Sequence, residues 1–549
     1  MILPNMPVLC CLLLGLASVA FADPIVSIPN GELQGLQLQS PELNEFYAFL
    51  GVPYGQPPIG DLRFESPQPA LPWNGTLDAT QERDGCLPLS NYSFYPNPGP
   101  KSEDCLYLNI YTPQLNQSAN LPVMFWIFGG GFVGGSKDYR YFGPQFLLVN
   151  DVIVVTINHR LGPFGFLSTA DNVILGNMGL KDQNLALQWV QSNIKYFGGD
   201  PQKVTVFGES SGGQSTGLHI LSKKSRGLFR AAICQSGCSI TDGFQPDPKT
   251  YAYAVAQQID ETITEKNSSL ELKNFLLKQP AETLVIAAKA VGTSGIRPVL
   301  EVEDDEAFLT QPFYALVEAG DINPVALIVG ATSEEALGFI GNEDQLAGVA
   351  EGYDEDWSTL VPRHLRPIEG SNLTEIGELI KNTYVGVNGT FADDLVATLE
   401  YYSDNINVKA AIKMAQLHSA FNPAYLFQFS FYGSKAQGHY NIEGGGKAGH
   451  FDDVPYVFNM TTYPLVTDAD DLCRKQISRL WTNFAKTLNP TPAGDELLQN
   501  VIWSPVTPDN IQYLDIDDTL EVKPNRKVKE YATWNYVYDT YATKPIITF

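Results

Sequence analysis

The residues best suited to chemistry lie in a run from Val204 to Gly213, Val-Thr-Val-Phe-Gly-Glu-Ser-Ser-Gly-Gly. Within it, Ser210 has Gly208 two positions before it and Gly212 two positions after it. A serine flanked in this way, between a buried strand and a helix, is typical of a nucleophile elbow, which lifts the serine Oγ clear of a sheet. Side chains at the two glycine positions would collide with the neighbouring strand or helix. The run therefore predicts that Ser210 is a nucleophile.

A serine nucleophile needs hydrogen-bond donors that stabilise the negatively charged oxygen of its intermediate. The glycine-rich run at 128–132, Phe-Gly-Gly-Gly-Phe, directly follows an apolar segment. Without a Cβ, such a backbone can approach a substrate closely. We therefore expect the N–H groups of Gly130, Gly131 and Ser211 to form an oxyanion hole. A flexible turn is the alternative interpretation of the three glycines.

Apolar runs and turn residues alternate around these motifs. The continuous apolar runs predict strands buried on both faces, at 121–128, 152–157 and 204–207. Segment 179–193 repeats apolar residues at helical spacing, and a second helix is expected after Ser210. This alternation indicates an α/β fold with a mostly parallel sheet. We also predict a helical insertion over the sheet at roughly 240–320 and a long amphipathic helix at 472–487.

Four longer segments resemble signatures of the carboxylesterase/cholinesterase (type-B) family of α/β-hydrolases. They are 54–64, 103–113, 158–166 and 197–212. The resemblance covers most of residues 23–549 and implies one α/β-hydrolase domain, with a large, mostly parallel central sheet covered by helices on both faces. It also implies the activity of a secreted serine carboxylesterase, which hydrolyses carboxylic esters.

The resemblance implies the acid of a catalytic triad five residues after a glycine that ends a strand. Here the strand is 325–329, the glycine is Gly330 and the acid is Glu335. The neighbouring Glu334 is the alternative. Ser236 resembles a family serine that supports the acid, and an ordinary core hydroxyl is the other interpretation of this residue.

The family's triad histidine lies in a segment that here reads Gly-His-Phe-Asp-Asp at 449–453, with a phenylalanine in place of the usual glycine. The resemblance assigns the role to His450, and His439 is the closest competitor. In the triad mechanism, Ser210 attacks the ester carbonyl, His450 transfers the proton and Glu335 orients the imidazole. The chain order Ser, Glu, His is the order expected for this fold.

The substrate is expected to be a small-molecule ester. Cholinesterases hold choline against a tryptophan, and Tyr95 stands at the corresponding position here. Small residues at 292–298 leave room for acyl groups larger than acetyl. We therefore predict a preference for neutral, non-choline esters with medium acyl chains. A catalytically inactive adhesion or binding protein and a lipase are the alternatives, and the sequence indicates neither the physiological ester nor the oligomeric state.

Composition argues against several classes of partner. The chain carries 35 Lys and Arg against 61 Asp and Glu, a net charge of −26. Binding to nucleic acid and docking on anionic lipid both need a basic surface, so we expect neither. No His or Cys cluster has metal-ligand spacing and no loop is suited to cradle phosphates, so we also expect no metal and no cofactor.

The N-terminus predicts a secreted, extracellular protein. Residues 7–21 are mostly apolar and the triplet 20–22 matches a cleavage site, so we assign 1–22 to a signal peptide and 23–549 to the mature domain. A membrane anchor is the alternative, and no other stretch approaches transmembrane length. Glycosylation sequons fit an extracellular location, and they occur at Asn74, Asn91, Asn116, Asn267, Asn372, Asn388 and Asn459.

The cysteines beyond the signal peptide are odd in number, so at least one thiol is free or pairs between chains. The resemblance implies a disulfide between Cys86 and Cys105. The pairing of Cys234 with Cys238 stays open, because an extended segment would hold them too far apart for a bridge unless the chain turns between them. We expect Cys473 to be unpaired in a helix.

Overall fold

In the computed structural model, the described residues are 23–90, 99–365, 372–434, 442–464, 466–492, 494–525 and 527–549. The strands within them are β1 (Ile25–Ile28), β2 (Gly31–Gln34), β3 (Leu36–Leu38), β4 (Phe46–Pro53), β5 (Thr76–Asp78), β6 (Gly85–Cys86), β7 (Lys101–Ser102), β8 (Tyr107–Thr112), β9 (Leu121–Ile127), β10 (Ile153–Ile157), β11 (Gly199–Glu209), β12 (Ala231–Gln235), β13 (Ala326–Thr332), β14 (Ala424–Phe429), β15 (Gln512–Ile516) and β16 (Leu520–Pro524). The α-helices are α1 (Gln145–Leu148), α2 (Gly162–Phe166), α3 (Met178–Asn193), α4 (Ser211–Leu221), α5 (Pro248–Gln257), α6 (Ser269–Leu277), α7 (Ala281–Val291), α8 (Phe313–Ala319), α9 (Glu343–Glu355), α10 (Asn372–Tyr384), α11 (Leu395–Ser403), α12 (Lys409–His418), α13 (Val454–Val457), α14 (Asp468–Thr487) and α15 (Val528–Tyr541).

The central sheet of the described residues has eleven strands, in the order β16-β15-β14-β13-β12-β11-β9-β10-β8-β4-β3. Neighbouring strands from β15 to β10 are all parallel, whereas β16 at one edge and β8, β4 and β3 at the other pair antiparallel. Strands β9, β10, β12 and β13 are buried along their whole length, as expected where helices cover both faces of a sheet. The predicted α/β-hydrolase fold is confirmed.

The elements predicted from the sequence are present with small changes of boundary. Two predicted strands match β9 and β10, and the third is the end of the longer β11. The helix predicted at 472–487 begins earlier, at Asp468, because Thr467 caps it. The Thr467 hydroxyl accepts from the Asp470 N–H, and the Asp470 carboxylate accepts from the Thr467 N–H. The expected helical insertion consists of α5, α6, α7 and α8.

An aromatic cluster fixes two central strands against each other. Trp126 in β9 lies 4.8 Å from Phe207 in β11 and 4.7 Å from Phe458, measured between ring centroids. All three side chains are buried. Edge and tilted contacts of this kind add about 0.5–1.5 kcal/mol per pair to the burial of the rings. These contacts therefore fix the ends of the two strands, which lead into the glycine-rich run and into Ser210.

The cysteines divide into one bridge and three thiols within the described residues. Cys86 and Cys105 form the disulfide that the resemblance implies, with an S–S distance of 2.06 Å. Cys234, Cys238 and Cys473 are buried and free, and Cys473 lies in α14 as predicted. Burial raises the pKa of all three thiols, so they are poor nucleophiles.

Several sequence predictions fall on residues outside the described ranges, namely the signal peptide at 1–22, the sequon at Asn91, Tyr95 and the competitor His439. Three sequon asparagines are exposed, Asn74, Asn116 and Asn388, and three are half-buried, Asn267, Asn372 and Asn459. In the part of the chain that the structure covers, no helix combines the length and apolarity needed to cross a bilayer. Glycosylation and signal cleavage stay predictions.

Candidate active site

Ser210 lies where β11 ends and α4 begins, with φ 58° and ψ −128°, a conformation that a residue with a side chain adopts only under strain. Its N–H donates to the Gln235 carbonyl at 2.9 Å. A Cβ on Gly208 would lie 2.5 Å from the Gly212 carbonyl oxygen, and one on Gly212 would lie 2.1 Å from that of Ile127. Both distances are too short for a side chain, so the turn accepts only glycine at the two positions that the sequence singled out.

Glu335 and His450 come together beside this turn. Glu335 follows β13 and is fully buried, and its Oε2 lies 2.5 Å from His450 Nδ1. The alternative acid, Glu334, instead accepts a hydrogen bond from the Gly446 N–H at 3.1 Å. Of the two neighbouring glutamates, the structure thus brings Glu335 to the imidazole.

Glu335 is held by three further hydrogen bonds. Its Oε1 accepts from the Ser236 hydroxyl at 2.6 Å and from the Thr332 N–H at 2.8 Å, and its Oε2 accepts from Asn407 Nδ2 at 2.8 Å. Burial raises the pKa of Glu335, but the charge of His450 and the hydrogen bonds from His450, Ser236 and Asn407 outweigh burial, so the net shift of the pKa is downward. The carboxylate therefore stays ionised and oriented. The contact of Ser236 is the one that the family resemblance implies, whereas no sequence pattern indicates Asn407.

The other imidazole nitrogen faces a second carboxylate. His450 Nε2 lies 3.1 Å from Glu209 Oε1, and the hydrogen bonds among the described residues do not include one from Ser210 Oγ to this nitrogen. Burial raises the pKa of Glu209 to about 8. Burial alone would lower the pKa of His450, but the charges of Glu209 and Glu335 raise it to about 9. The imidazole is thus set between two acids, one on each nitrogen.

The glycine-rich run forms a loop against the elbow. Gly130 has φ 123° and Gly131 has φ 60°, values that L-residues with side chains rarely adopt. No hydrogen bond among the described residues uses the N–H of either glycine, so both remain available as donors. The Phe132 N–H donates to the Ser211 hydroxyl at 3.3 Å and Arg297 Nη1 donates to the Gly131 carbonyl at 3.4 Å. These two bonds fix the loop beside Ser210.

A buried polar network behind the histidine was not foreseen. Gln235 Nε2 donates to Asp453 Oδ2 at 2.6 Å, and Trp481 Nε1 donates to Gln235 Oε1 at 3.1 Å. Burial raises the pKa of Asp453 to about 7, and the nearby charge of Glu335 adds to the rise. The Gln235 carbonyl also accepts from the Ser210 N–H. The network therefore ties the elbow to the segment that carries His450.

A cavity of about 890 Å³ joins the parts of the site. Ser210 and His450 line it, together with Gly130, Gly131 and Ser211. Aromatic and apolar side chains form much of the remaining surface, including Phe132, Phe244, Tyr251, Phe339, Phe451 and Ile547. Its volume lies in the range of small-molecule sites, and apolar walls with a few convergent polar groups are typical of them.

Comparison with known proteins places this architecture in a family. The family model described as the carboxylesterase family matches residues 22–534. The juvenile hormone esterase of Tribolium castaneum is 32% identical over 534 residues, which span 90% of this chain and 88% of that protein. The medium-chain fatty acyl-CoA hydrolase precursor of Anas platyrhynchos is 33% identical over 529 residues, which span 93% of this chain and 92% of the relative.

The fold has a close counterpart among solved structures. The crystal structure of juvenile hormone esterase from Manduca sexta, with OTFP covalently attached, superimposes with a TM-score of 0.82. It is 31% identical and covers 94% of this chain and 100% of its own. The chain therefore belongs to the carboxylesterase family of α/β-hydrolases and is a carboxylic ester hydrolase.

Proposed function

We propose that the protein is a secreted serine carboxylesterase that hydrolyses neutral, non-choline esters through Ser210, His450 and Glu335. The observation that carries the proposal is the 2.5 Å contact between His450 Nδ1 and Glu335 Oε2, in a protein whose Ser210 lines the same cavity as His450. An imidazole oriented by a buried carboxylate, beside a serine on a strained turn, is the arrangement used for acyl transfer.

In the acylation step, Ser210 Oγ attacks the ester carbonyl carbon while His450 Nε2 takes the hydroxyl proton. The N–H groups of Gly130, Gly131 and Ser211 stabilise the tetrahedral oxyanion, and the N-terminus of α4 adds a favourable potential. The intermediate then expels the alcohol, which receives the proton from His450, and the acyl group stays on Ser210. Water activated by the same imidazole hydrolyses this acyl-enzyme.

Two carboxylates assist the imidazole in different ways. Glu335 keeps the proton of the neutral ring on Nδ1, which leaves Nε2 free to accept the proton of Ser210, and it stabilises the imidazolium form. Glu209, 3.1 Å from Nε2, adds a negative charge on the other side of the ring once the pH exceeds its raised pKa of about 8. Hydrogen bonds between nucleophile and base often tighten only in the substrate complex, so we expect Nε2 to turn from Glu209 to Ser210 as an ester binds.

The cavity lining supports uncharged esters with medium acyl chains. Ser294 and Gly295, in the segment expected to contact the acyl group, both line the cavity and take up little of its width. One relative is named for medium-chain fatty acyl-CoA, which agrees with the proposed length of the acyl chain. We expect a higher kcat/KM for an uncharged butyrate ester than for acetylcholine, and a clear preference for acetylcholine would contradict this assignment.

We also propose that residues 23–549 form one secreted catalytic domain after removal of 1–22. The disulfide between Cys86 and Cys105 supports this, since such bonds persist in oxidising compartments. N-terminal sequencing of the secreted protein should begin near Asp23, and glycosidase treatment should lower its mass. A secreted protein that retains Met1 would contradict the signal peptide.

Labelling with a fluorophosphonate tests the proposed chemistry directly. The mature protein should take up one equivalent of the reagent on Ser210, identified by peptide mapping, and should hydrolyse p-nitrophenyl butyrate. Ser210→Ala should take up none, whereas Ser239→Ala, a matched change at a buried serine outside the cavity lining, should label as the wild type does. Absence of labelling and turnover would indicate a non-catalytic binding protein, and a rate that rises sharply once the ester forms an interface would indicate a lipase.

A further inference from the structure

The segment at 546–549 is folded into the body of the protein rather than lying on its surface. Ile546, Thr548 and Phe549 are buried, and Phe549 is fully inaccessible to solvent. Ile547 is half-buried and lines the cavity that contains Ser210. One side chain of this segment therefore faces the space in which the ester reacts, while its neighbours are anchored in the core.

The anchoring of Phe549 is specific. Its ring stacks on Tyr538, with centroids 4.3 Å apart, and lies 6.0 Å from Tyr314. The ammonium groups of Lys413 and Lys409 lie 5.2 Å and 5.9 Å from the ring centroid, within the range of cation–π attraction. The Phe549 ring is therefore held from several sides at once.

Two backbone hydrogen bonds hold the segment on either side of Thr548. The Tyr314 N–H donates to the Ile547 carbonyl at 2.8 Å, and the Phe549 N–H donates to the Ile240 carbonyl at 2.8 Å. These two hydrogen bonds fix the backbone of the segment and therefore the position of Ile547. We call residues 546–549 the end wall.

One continuous stretch of chain, residues 237–246, contacts both the nucleophile elbow and the end wall. A Cβ on Gly237 would lie 2.3 Å from the Ser210 carbonyl oxygen, so this stretch starts in contact with the elbow. It then passes Ile240, which binds the end wall. Its cavity-lining residues follow, at 241–246.

The same stretch is bound to the segment expected to contact the acyl group. The Gln245 N–H donates to the Pro298 carbonyl at 3.0 Å, and Gln245 Nε2 donates to the Gly295 carbonyl at 3.1 Å. Arg297 of that segment donates in turn to the Gly131 carbonyl of the glycine-rich loop. The elbow, the acyl segment and the end wall therefore form one side of the cavity.

We propose that the end wall closes the far end of the acyl-binding part of the cavity and that Ile547 sets the length of acyl chain the enzyme accepts. The inference rests on the proposed function, because it takes Ser210 as the origin of the acyl chain. A side chain at the end of a pocket excludes longer chains by collision and favours a chain that just reaches it by contact. A single methylene in such a pocket changes kcat/KM by roughly 10- to 200-fold.

The test is the dependence of kcat/KM on acyl length for p-nitrophenyl esters from acetate to laurate. Ile547→Ala should move the optimum to longer chains, by roughly the two or three carbons that the truncation makes room for, and raise kcat/KM for those esters on the order of 10-fold. Ile547→Trp should move the optimum to shorter chains. Ile547→Val, the mildest change, should give a small shift in the same direction as alanine.

Ile546→Ala is the matched control, because it makes the same truncation one residue away, at a buried side chain outside the cavity lining. It should lower stability and leave the optimum unchanged. Each variant is first titrated with a fluorophosphonate, so that loss of Ser210 reactivity, which would contradict the proposed function, is separated from a change in chain length. An unchanged optimum in Ile547→Trp and Ile547→Val with full titration, or an equal shift in Ile546→Ala, would overturn the assignment of Ile547.

Discussion

The nucleophile elbow and the end wall border the same cavity but are built in opposite ways. The elbow is held by backbone packed against backbone, so that Gly208 and Gly212 leave no space for a Cβ. The end wall is held by the ring contacts of Phe549 and by two backbone bonds, and it places one aliphatic side chain, Ile547, in the cavity. The position of the nucleophile therefore depends on two glycines that no other residue can replace, whereas acyl length depends on a side chain that can be exchanged.

The largest expected effect comes from removing the nucleophile. Ser210→Ala should lower kcat by about 10⁴-fold or more, because neither the base nor the oxyanion hole can replace the attacking oxygen. The melting temperature should change little, since the alanine fits the same turn. Retention of a tenth of the activity on p-nitrophenyl butyrate would exclude Ser210 as the nucleophile.

Separate replacement of the two neighbouring glutamates tests which of them orients His450. Glu335→Gln should lower kcat by roughly 10³- to 10⁴-fold, because an amide cannot hold the imidazole in its reactive tautomer. Glu334→Gln is the matched control and should cost less than about tenfold, since Glu334 accepts a backbone N–H rather than the histidine. Equal losses in the two variants would show that the contact at His450 Nδ1 does not select the acid.

Removal of the disulfide should separate stability from specificity. The double variant Cys86→Ala/Cys105→Ala should lose about 3 kcal/mol in the free energy of unfolding, measured by urea denaturation, because the bond restricts the unfolded chain. Neither cysteine lines the cavity of Ser210, so the acyl-length profile should stay as in the wild type. Reduction of the disulfide in the wild type should lower the free energy of unfolding by the same amount. A changed acyl-length profile would mean that the active site depends on distant parts of the chain.

The smallest expected effect is a shift in pH dependence. Only neutral His450 can accept the proton of Ser210, so kcat/KM rises as the pH passes the pKa of this residue. Glu209→Gln removes a negative charge that raises this pKa, so the acidic limb should move to lower pH, by about 1 unit. Glu334→Gln should not move it. A shift to higher pH in Glu209→Gln would show that Glu209 does not act on the imidazole through its charge.

Sequence patterns predicted the nucleophile elbow and the glycine-rich loop because the constraints on them are local. The glycines around Ser210 and the apolar runs before the two loops lie within a few residues of the groups they position, whereas Glu335 and His450 are assigned by the family resemblance. Backbone geometry at such sites restricts the residue type, so the constraint can be recognised in the chain itself.

Except for Ser236, which the resemblance indicates, the supports of the triad and the end wall could not be predicted, because they join distant residues. Asn407 reaches Glu335 from 72 positions away, and Gln235 reaches Asp453 from 218. The sequence around a polar residue does not indicate which distant residue it binds. Likewise, nothing in the run Lys-Pro-Ile-Ile-Thr-Phe at 544–549 indicates a contact with the cavity, and only the folded structure reveals that Ile547 lines it.

The hydrogen bond from the Phe549 N–H to the Ile240 carbonyl has a consequence for biosynthesis. The ribosome makes these residues about three hundred positions apart, which takes on the order of 15 to 60 s at ordinary rates of translation. During that interval the elbow and the central strands of the sheet can form, but the cavity stays open at the end that Ile547 closes. The nascent chain therefore exposes apolar cavity walls until residues 546–549 have been made, and a chain stalled before residue 546 would have its nucleophile in a cavity that lacks one wall.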